Sequence, residues 1–409
     1  MYDFIFFIFA LFAIPKFLVR LNQAGSQKEL ISERFGFFPK SFGQRFAGQK
    51  TVWLHAVSVG EVMAARQWIR LFLETYPDWQ IALSTTTPTG CQVADSLSSE
   101  RVIVFYAPFD LSFVVRRVLN TLQPKLILLM ETEIWPNLLS KAKASGIPIG
   151  IINGRLSPRS FQRYRLVRHW MAPILNQLSF CLVQSKRDQD YFIKLGIPEL
   201  QVFYTGNMKF DQVDGLSFAE KNTGFEANGV TPNGLILIGG STHWGEEEIL
   251  LRVFKRLQET FTDLQLILAP RHPENLSRVV ALITSLGFQF QLFSEKRTGK
   301  PRSVLLIDQM GVLASLYLSA DVAFVGGSFV QRGGQSPIEA AFSKKPLLHG
   351  PNVFNFHEAY HMLDEKGAAF QVASEDELFQ KSRLLLENPE LRGQMGARAW
   401  SCVQSMKGA

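Results

Sequence analysis

The sequence predicts an α/β protein of two doubly wound domains, each a mostly parallel sheet with helices on both faces. Three observations carry this. Short, nearly continuous apolar β-rich runs alternate with amphipathic stretches, the pattern of βαβ units around a parallel sheet buried on both sides. The pattern halts at a polar, Gly- and Asn-rich stretch from Asp214 to Asn233 and then restarts. Finally, 409 residues are too many for one ordinary domain and enough for two with substantial cores.

The elements follow in chain order. From Phe4 to Ile14 the chain is unbroken apolar, and Pro15, Lys16 and Arg20 come next. This run falls short of the ~20 residues of a clean spanning helix. With Phe17, Leu18, Val19 and Leu21 continuing it and the basic side chains snorkelling, residues 1–21 read as a membrane anchor that just spans the bilayer or lies in its interface. No basic segment precedes the run and no small-residue cleavage site follows it, which argues against a cleaved signal peptide. Lys16 and Arg20 on its C-terminal side place the rest of the chain in the cytoplasm.

The first domain, 22–213, carries strands at Val52 to Val57, Ile81 to Thr87, Val102 to Ala107, Leu126 to Met130, Ile147 to Asn153 and Phe180 to Gln184. After a linker at 214–233, the second domain, 234–409, carries Leu235 to Ile238, Leu264 to Leu268, Val304 to Ile307, Val322 to Val325 and Pro346 to Leu348. Its last helix is a candidate to pack back on the first domain. Two such domains facing each other leave a cleft at the carboxyl ends of their strands, where open α/β sheets bind ligands.

Composition narrows the class. A hydrophobic content of 46% with 19% charged residues is globular and excludes a disordered chain. The three cysteines, Cys91, Cys181 and Cys402, are scattered and lack metal-ligand spacing, so they indicate neither a disulfide framework nor a zinc site and fit a reduced compartment. The net charge of +7 favours an anionic partner. Arg155, Arg159, Arg163, Arg165 and Arg168 crowd one stretch, either a solvated helix face or a surface turned to lipid or phosphate.

Chemistry-bearing residues sit at strand ends. The strand from Val52 runs into Ser58-Val59-Gly60-Glu61 and then an apolar-periodic helix. From spacing alone S-x-x-E is most simply a capping box, with Glu61 satisfying a backbone N–H. The same carboxylate at a strand-to-helix turn is also able to take a proton from a hydroxyl. After Leu126 to Met130 come Glu131 and Glu133, which either cap the next helix or hold a base or substrate in place. In the second domain, Gly239-Gly240-Ser241-Thr242 joins a strand to a helix beginning near Gly245 and Glu246, whose N-terminus attracts phosphate. No Walker A lysine follows, which excludes a P-loop enzyme. Pro270 and Arg271 end a strand, and Arg271 suits a phosphate or a surface ion pair. Gly326-Gly327-Ser328 and Gly333-Gly334-Gln335 lead into Ser336-Pro337-Ile338-Glu339, a second capping-box pattern with proline at the first helical position. Glu339 is then either structural or an acceptor for ribose hydroxyls.

Taken together, these motifs resemble the Kdo transferases of lipopolysaccharide assembly, which have the GT-B fold and move 3-deoxy-D-manno-octulosonic acid (Kdo) from CMP-Kdo to a lipid A precursor. The resemblance runs over nearly the whole chain, through His55 to Glu61, Ser84 to Gly90, Glu131 to Asn137, Asn153 to Ser160, Gly206 to Asp211, Gly239 to Glu248, Ala269 to Glu274, Gly326 to Glu339 and Gly350 to Glu358. It implies an N-terminal acceptor-binding domain and a C-terminal CMP-sugar-binding domain. By resemblance Glu61 is the general base, and Glu131 and Lys209 stabilise the transition state. CMP contacts then fall on Pro270 and Arg271, on Met310, Gly311 and Val312, and on Ser336, Pro337, Ile338 and Glu339; the Ser241-Thr242 turn is, on the strand-to-helix reading, a further candidate beside Lys209 and Arg271 for the leaving phosphate. It further implies an inverting, metal-independent reaction with no cofactor, since CMP-Kdo is the donor substrate. The implied partners are the lipid A precursor (lipid IVA) and the cytoplasmic face of the inner membrane, not nucleic acid, and more than one Kdo is a possible outcome. Two departures stand out. Val312 replaces the family's usual glutamate, and Gln335-Ser336 replaces its usual His-Asn. They leave two rivals open: another GT-B transferase or epimerase, and an inactive membrane scaffold.

Overall fold

The computed structural model describes residues 27–215, 227–231, 234–296 and 301–409. The anchor expected at 1–21 lies outside the described residues, as does much of the 214–233 stretch. Two compact units are formed, one from the residues up to Gln212 with Lys407–Ala409, the other from Val213 to Met406.

The sheet of the first unit has seven strands: β1 (Lys50–His55), β2 (Trp79–Thr85), β3 (Val102–Tyr106), β4 (Leu126–Met130), β5 (Ile149–Gly154), β6 (Phe180–Val183) and β7 (Val202–Tyr204). They lie in the order β3-β2-β1-β4-β5-β6-β7, every pair parallel. Alternate residues feed different cores, as the twofold period of a strand requires. Trp53, Ile127, Leu129 and Ile151 belong to one apolar cluster; Val52, Leu54, Leu128, Met130 and Ile152 belong to another. The helix Val59–Thr75 buries Val62, Ala65 and Ile69, a helical spacing, and so seats Glu61 at its first turn beside the end of β1.

In the second unit the strands are β8 (Ile236–Thr242), β9 (Gln265–Pro270), β10 (Phe290–Leu292), β11 (Val304–Leu306), β12 (Val322–Val325), β13 (Leu347–His349) and β14 (Ala369–Gln371). The order is β10-β11-β9-β8-β12-β13-β14, again parallel throughout. The doubly wound α/β class is the one the sequence predicts. Gly239 to Thr242, read as a turn, instead finish β8, while the helix Glu246–Gln258 begins at Glu246 with Gly245 before it, where the sequence places it. The last helix, Pro389–Ser405, packs within the second unit on the helices Ile338–Phe342, His357–Glu365 and Glu375–Glu387. Beyond it, Lys407–Ala409 join the first unit, where Asp211 accepts the Gly408 N–H at 2.8 Å and the Ala409 N–H at 3.3 Å.

Candidate active site

In the first unit the carboxyl ends of β1, β4 and β5 gather the acidic and basic residues. Glu61 is buried, its Oε2 accepting the Val57 N–H at 2.8 Å and its Oε1 the Ser58 hydroxyl at 3.0 Å. This is not a reciprocal capping box, because the Ser58 side chain accepts no N–H from the helix. Burial, opposed by the Val57 bond and reinforced by Glu131 and Glu133, lifts the Glu61 carboxyl to about 7. A group near neutrality is suited to proton transfer.

Neither Glu131 nor Glu133 caps the next helix. That helix, Pro136–Ala144, is capped from a distance by Asp110, whose Oδ2 and Oδ1 accept the Asn137 and Leu138 N–H groups at 3.0 and 2.9 Å. Glu133 instead accepts Trp135 Nε1 at 2.8 Å, and burial raises its carboxyl. Glu131 pairs with two cations, Lys209 Nζ at 3.3 Å and Arg155 Nε at 3.1 Å. The structure thus brings together Glu131 and Lys209, the two residues that the resemblance assigns to the transition state, and adds Arg155, which the sequence showed only as one member of a basic run. Glu131 and its neighbour in the sheet, Asn153, both have φ of 54°, an uncommon left-handed conformation for residues with a side chain. Asn153 Oδ1 also accepts the Met208 N–H at 3.1 Å, fixing the segment that carries Lys209.

At the end of β1, the fully buried His55 meets Ser84 Oγ through Nδ1 at 2.9 Å and the Trp135 ring edge-on. Trp53 Nε1 donates to the same hydroxyl at 2.8 Å, leaving its proton for His55. Burial pushes the imidazole down to about 4, so it stays neutral.

In the second unit the strand ends present a different set. Arg271 is exposed, and among the described residues no carboxylate forms an ion pair with it; Glu274 pairs with His272 instead, at 3.0 Å. Burial raises the Glu339 carboxyl while Arg271 lowers it, which places these two charges within each other's field. Glu339 makes no capping bond, and the helix Ile338–Phe342 begins after Pro337 rather than on it. Met310, Gly311 and Val312 lead into the helix Leu313–Tyr317, which packs on Ile338–Phe342. Met310 is 69% exposed and Gly311 takes a φ of 85°. Ser241 holds a φ of 52°, whereas Thr242 is buried and its hydroxyl donates to Glu247 Oε1 at 2.8 Å. That hydroxyl is committed within the protein, and the Thr242 carbonyl accepts the Arg271 N–H at 2.8 Å, so the expected phosphate contact does not come from the Thr242 hydroxyl. Ser336 Oγ accepts Ile338 N–H at 3.4 Å, and Gln335 Nε2 meets His243 Nε2 at 3.0 Å.

Two parallel-sheet units with charged residues at their strand ends make the fold shared by two-domain glycosyltransferases and sugar-nucleotide epimerases. A glycosyltransferase from Rickettsia africae covers 88% of this chain and 94% of its own at TM-score 0.63 and 15% identity. The UDP-GlcNAc 2-epimerase of Neisseria meningitidis covers 87% and 98% at 0.61 and 15%. At such identity the likeness speaks for the fold alone. Residues 29–212 match the family described as 3-Deoxy-D-manno-octulosonic-acid transferase (kdotransferase). The 3-deoxy-D-manno-octulosonic acid transferase of Haemophilus influenzae is 33% identical over 393 residues, 93% of this chain and 89% of that one. The Bordetella pertussis protein of the same name is 32% identical over 94% and 91% of the two chains. The chain belongs to the Kdo transferase family and is a glycosyltransferase.

Proposed function

We propose that this glycosyltransferase moves Kdo from CMP-Kdo to a sugar hydroxyl of a lipid A precursor, with inversion, at the cytoplasmic surface of the inner membrane. The observation that carries the reading is Glu61, a buried carboxylate of near-neutral pKa held at a strand end by the Val57 N–H. An acceptor hydroxyl ionises far above neutrality, so its attack needs a positioned base. Glu61 takes that proton as the oxygen attacks the anomeric carbon from the face opposite CMP, and the C–O bond to the phosphate breaks. Negative charge then grows on the leaving phosphate, and fixed cations stabilise it. Arg271, exposed and in no ion pair among the described residues, is the candidate in the second unit, with Ser241 and the backbone of Thr242 beside it. Lys209, held by Glu131, serves the reacting centre. Pro270 and Met310 to Val312 are assigned to the cytosine, and Ser336 to Glu339 to the ribose. Val312 keeps backbone contacts available, while Gln335 is engaged with His243. The reading invokes no cofactor.

The membrane surface is supported by the basic stretch. The helices Pro158–Leu166 and Arg168–Leu175 leave Leu166, Val167 and Trp170 exposed among Arg163, Arg165, Arg168 and His169, with no acidic residue from Arg155 to Arg187. Apolar side chains ringed by arginine suit an anionic lipid interface. Among the described residues no helix is long and apolar enough to cross a membrane.

The test is mass spectrometry of the lipid after incubation with CMP-Kdo and a lipid A precursor. The expected product is heavier by one or more Kdo units, with CMP released. No product from CMP-Kdo, alongside transfer from another sugar nucleotide, would overturn the assignment.

A further inference from the structure

Glu246 opens the helix Glu246–Gln258 and is completely buried. Its carboxylate accepts four backbone N–H groups. Oε2 takes those of His243 at 2.9 Å and Gly327 at 2.7 Å; Oε1 takes those of Ser328 and Phe329, both at 2.9 Å. The His243 bond alone is what a helix cap needs. The other three come from consecutive amides in the turn after β12, a different element, which curl around the carboxylate as a nest curls around an anion. The two turns are in close contact, since a Cβ on Gly326 would lie 2.5 Å from the Ser241 carbonyl oxygen.

From this nest a continuous ladder of hydrogen bonds leads to the segment assigned to the donor. Gly334 N–H donates to the Gly327 carbonyl at 2.8 Å, and Gln335 N–H to the Gly326 carbonyl at 2.9 Å. The Ser328 hydroxyl accepts Gly350 N–H at 2.9 Å, and the Ser328 carbonyl accepts Asn352 N–H at 2.9 Å. Tyr360 closes the far side, its hydroxyl donating to the Gln335 carbonyl at 2.8 Å. Ser336 to Glu339 follow directly, so their position is inherited from the turn that Glu246 grips.

We propose that Glu246 is a positioning residue for the donor site: an internal anion that fills the amide nest at 327–329 and thereby fixes Ser336 to Glu339 for the sugar nucleotide without touching it. The inference rests on the reading that the second unit binds CMP-Kdo. It also reverses the usual part of a glycine-rich turn, whose amides more often receive the ligand's phosphate. Here those amides are already taken, and the phosphate is left to Arg271 and the backbone near Ser241.

The test uses the full chain and steady-state transfer. Glu246→Ala removes several charge-assisted bonds, and the expected result is a KM for CMP-Kdo raised about tenfold or more, with the KM for the acceptor unchanged. Formate, small enough to enter the emptied nest, lowers the donor KM again, while chloride at equal ionic strength does not. If Glu246→Ala fails to fold, Glu246→Gln carries the test. Its amide NH2 faces N–H donors, so it raises the donor KM and speeds hydrogen exchange at Gly327 to Phe329 while the strands stay protected. An unchanged donor KM in the folded variant, or a raised KM that formate leaves unaltered, overturns the proposal. Wild-type protein that fails to saturate with CMP-Kdo overturns the donor reading itself, a separate outcome.

Discussion

Burial lifts the Glu61 carboxyl to about 7 from an ordinary 4.5, and its two hydrogen bonds offset that only in part. The raised value has a cost in stability as well as a use. Between pH 4.5 and 7 the unfolded chain has lost this proton while the folded chain keeps it, so the folded state becomes less stable as pH rises through that window. Above pH 7 the penalty is fully present, about 3 kcal/mol. Glu61→Gln keeps both contacts, its carbonyl accepting Val57 N–H and its amide donating to Ser58. Thermal melts are expected to show this variant more stable than the wild type at pH 8, with the gap closing towards pH 4.5. Transfer should fall by about 10²–10⁴-fold with CMP-Kdo binding retained, and the wild-type rate should climb with pH through the titration of Glu61. Near-normal turnover in the variant would remove Glu61 as the base. Little of this was legible beforehand. S-x-x-E spacing shows that a carboxylate sits at a helix start but not which N–H it meets, and Asp110, which frees Glu131 and Glu133 from capping, reaches its helix across a long stretch of chain. Arg155 was hidden likewise, its partner Glu131 lying in a different strand connection.

The interior strands declared themselves through apolar runs because both their faces are covered. The three strands missed, β7, β10 and β14, are the three-residue edge strands of their sheets. Short edges bury little, as exposed Phe203 and Tyr204 in β7 illustrate, so no run of apolar residues marks them. Proline opens the first turn of the helices at Pro88, Pro136, Pro158 and Pro389, where its missing N–H costs nothing. The basic helix pair is the element whose role sequence left open, and it is the membrane-facing element of the function proposed above, with Leu166 and Trp170 exposed. Burying each in an interface contributes about 1.5–3 kcal/mol at most. Replacing both by glutamate is therefore expected to lower transfer to an acceptor held in anionic vesicles by about tenfold or more. Transfer to detergent-dispersed acceptor should be unchanged. Equal rates for variant and wild type on vesicles would argue that this face does not meet the membrane.

At the scale of the molecule, two all-parallel sheets are joined by a chain that passes from the first unit to the second near Gln212 and returns at Lys407. The return is tied by Asp211 to the backbone of Gly408 and Ala409. Asp211→Ala is expected to destabilise the first unit by about 1 kcal/mol, read as a lower urea midpoint; an unchanged midpoint would show the tie to be incidental. The restart of the strand pattern made the two-unit plan readable, but a contact between residues so far apart in the chain leaves no local mark. The filled nest in the second unit has a consequence for the company this protein keeps. Cells are rich in phosphate and free nucleotides, all of which compete for an open ring of amides. A ring closed by the protein's own carboxylate is unavailable to these bystanders, so abundance of the wrong anion brings no occupancy there.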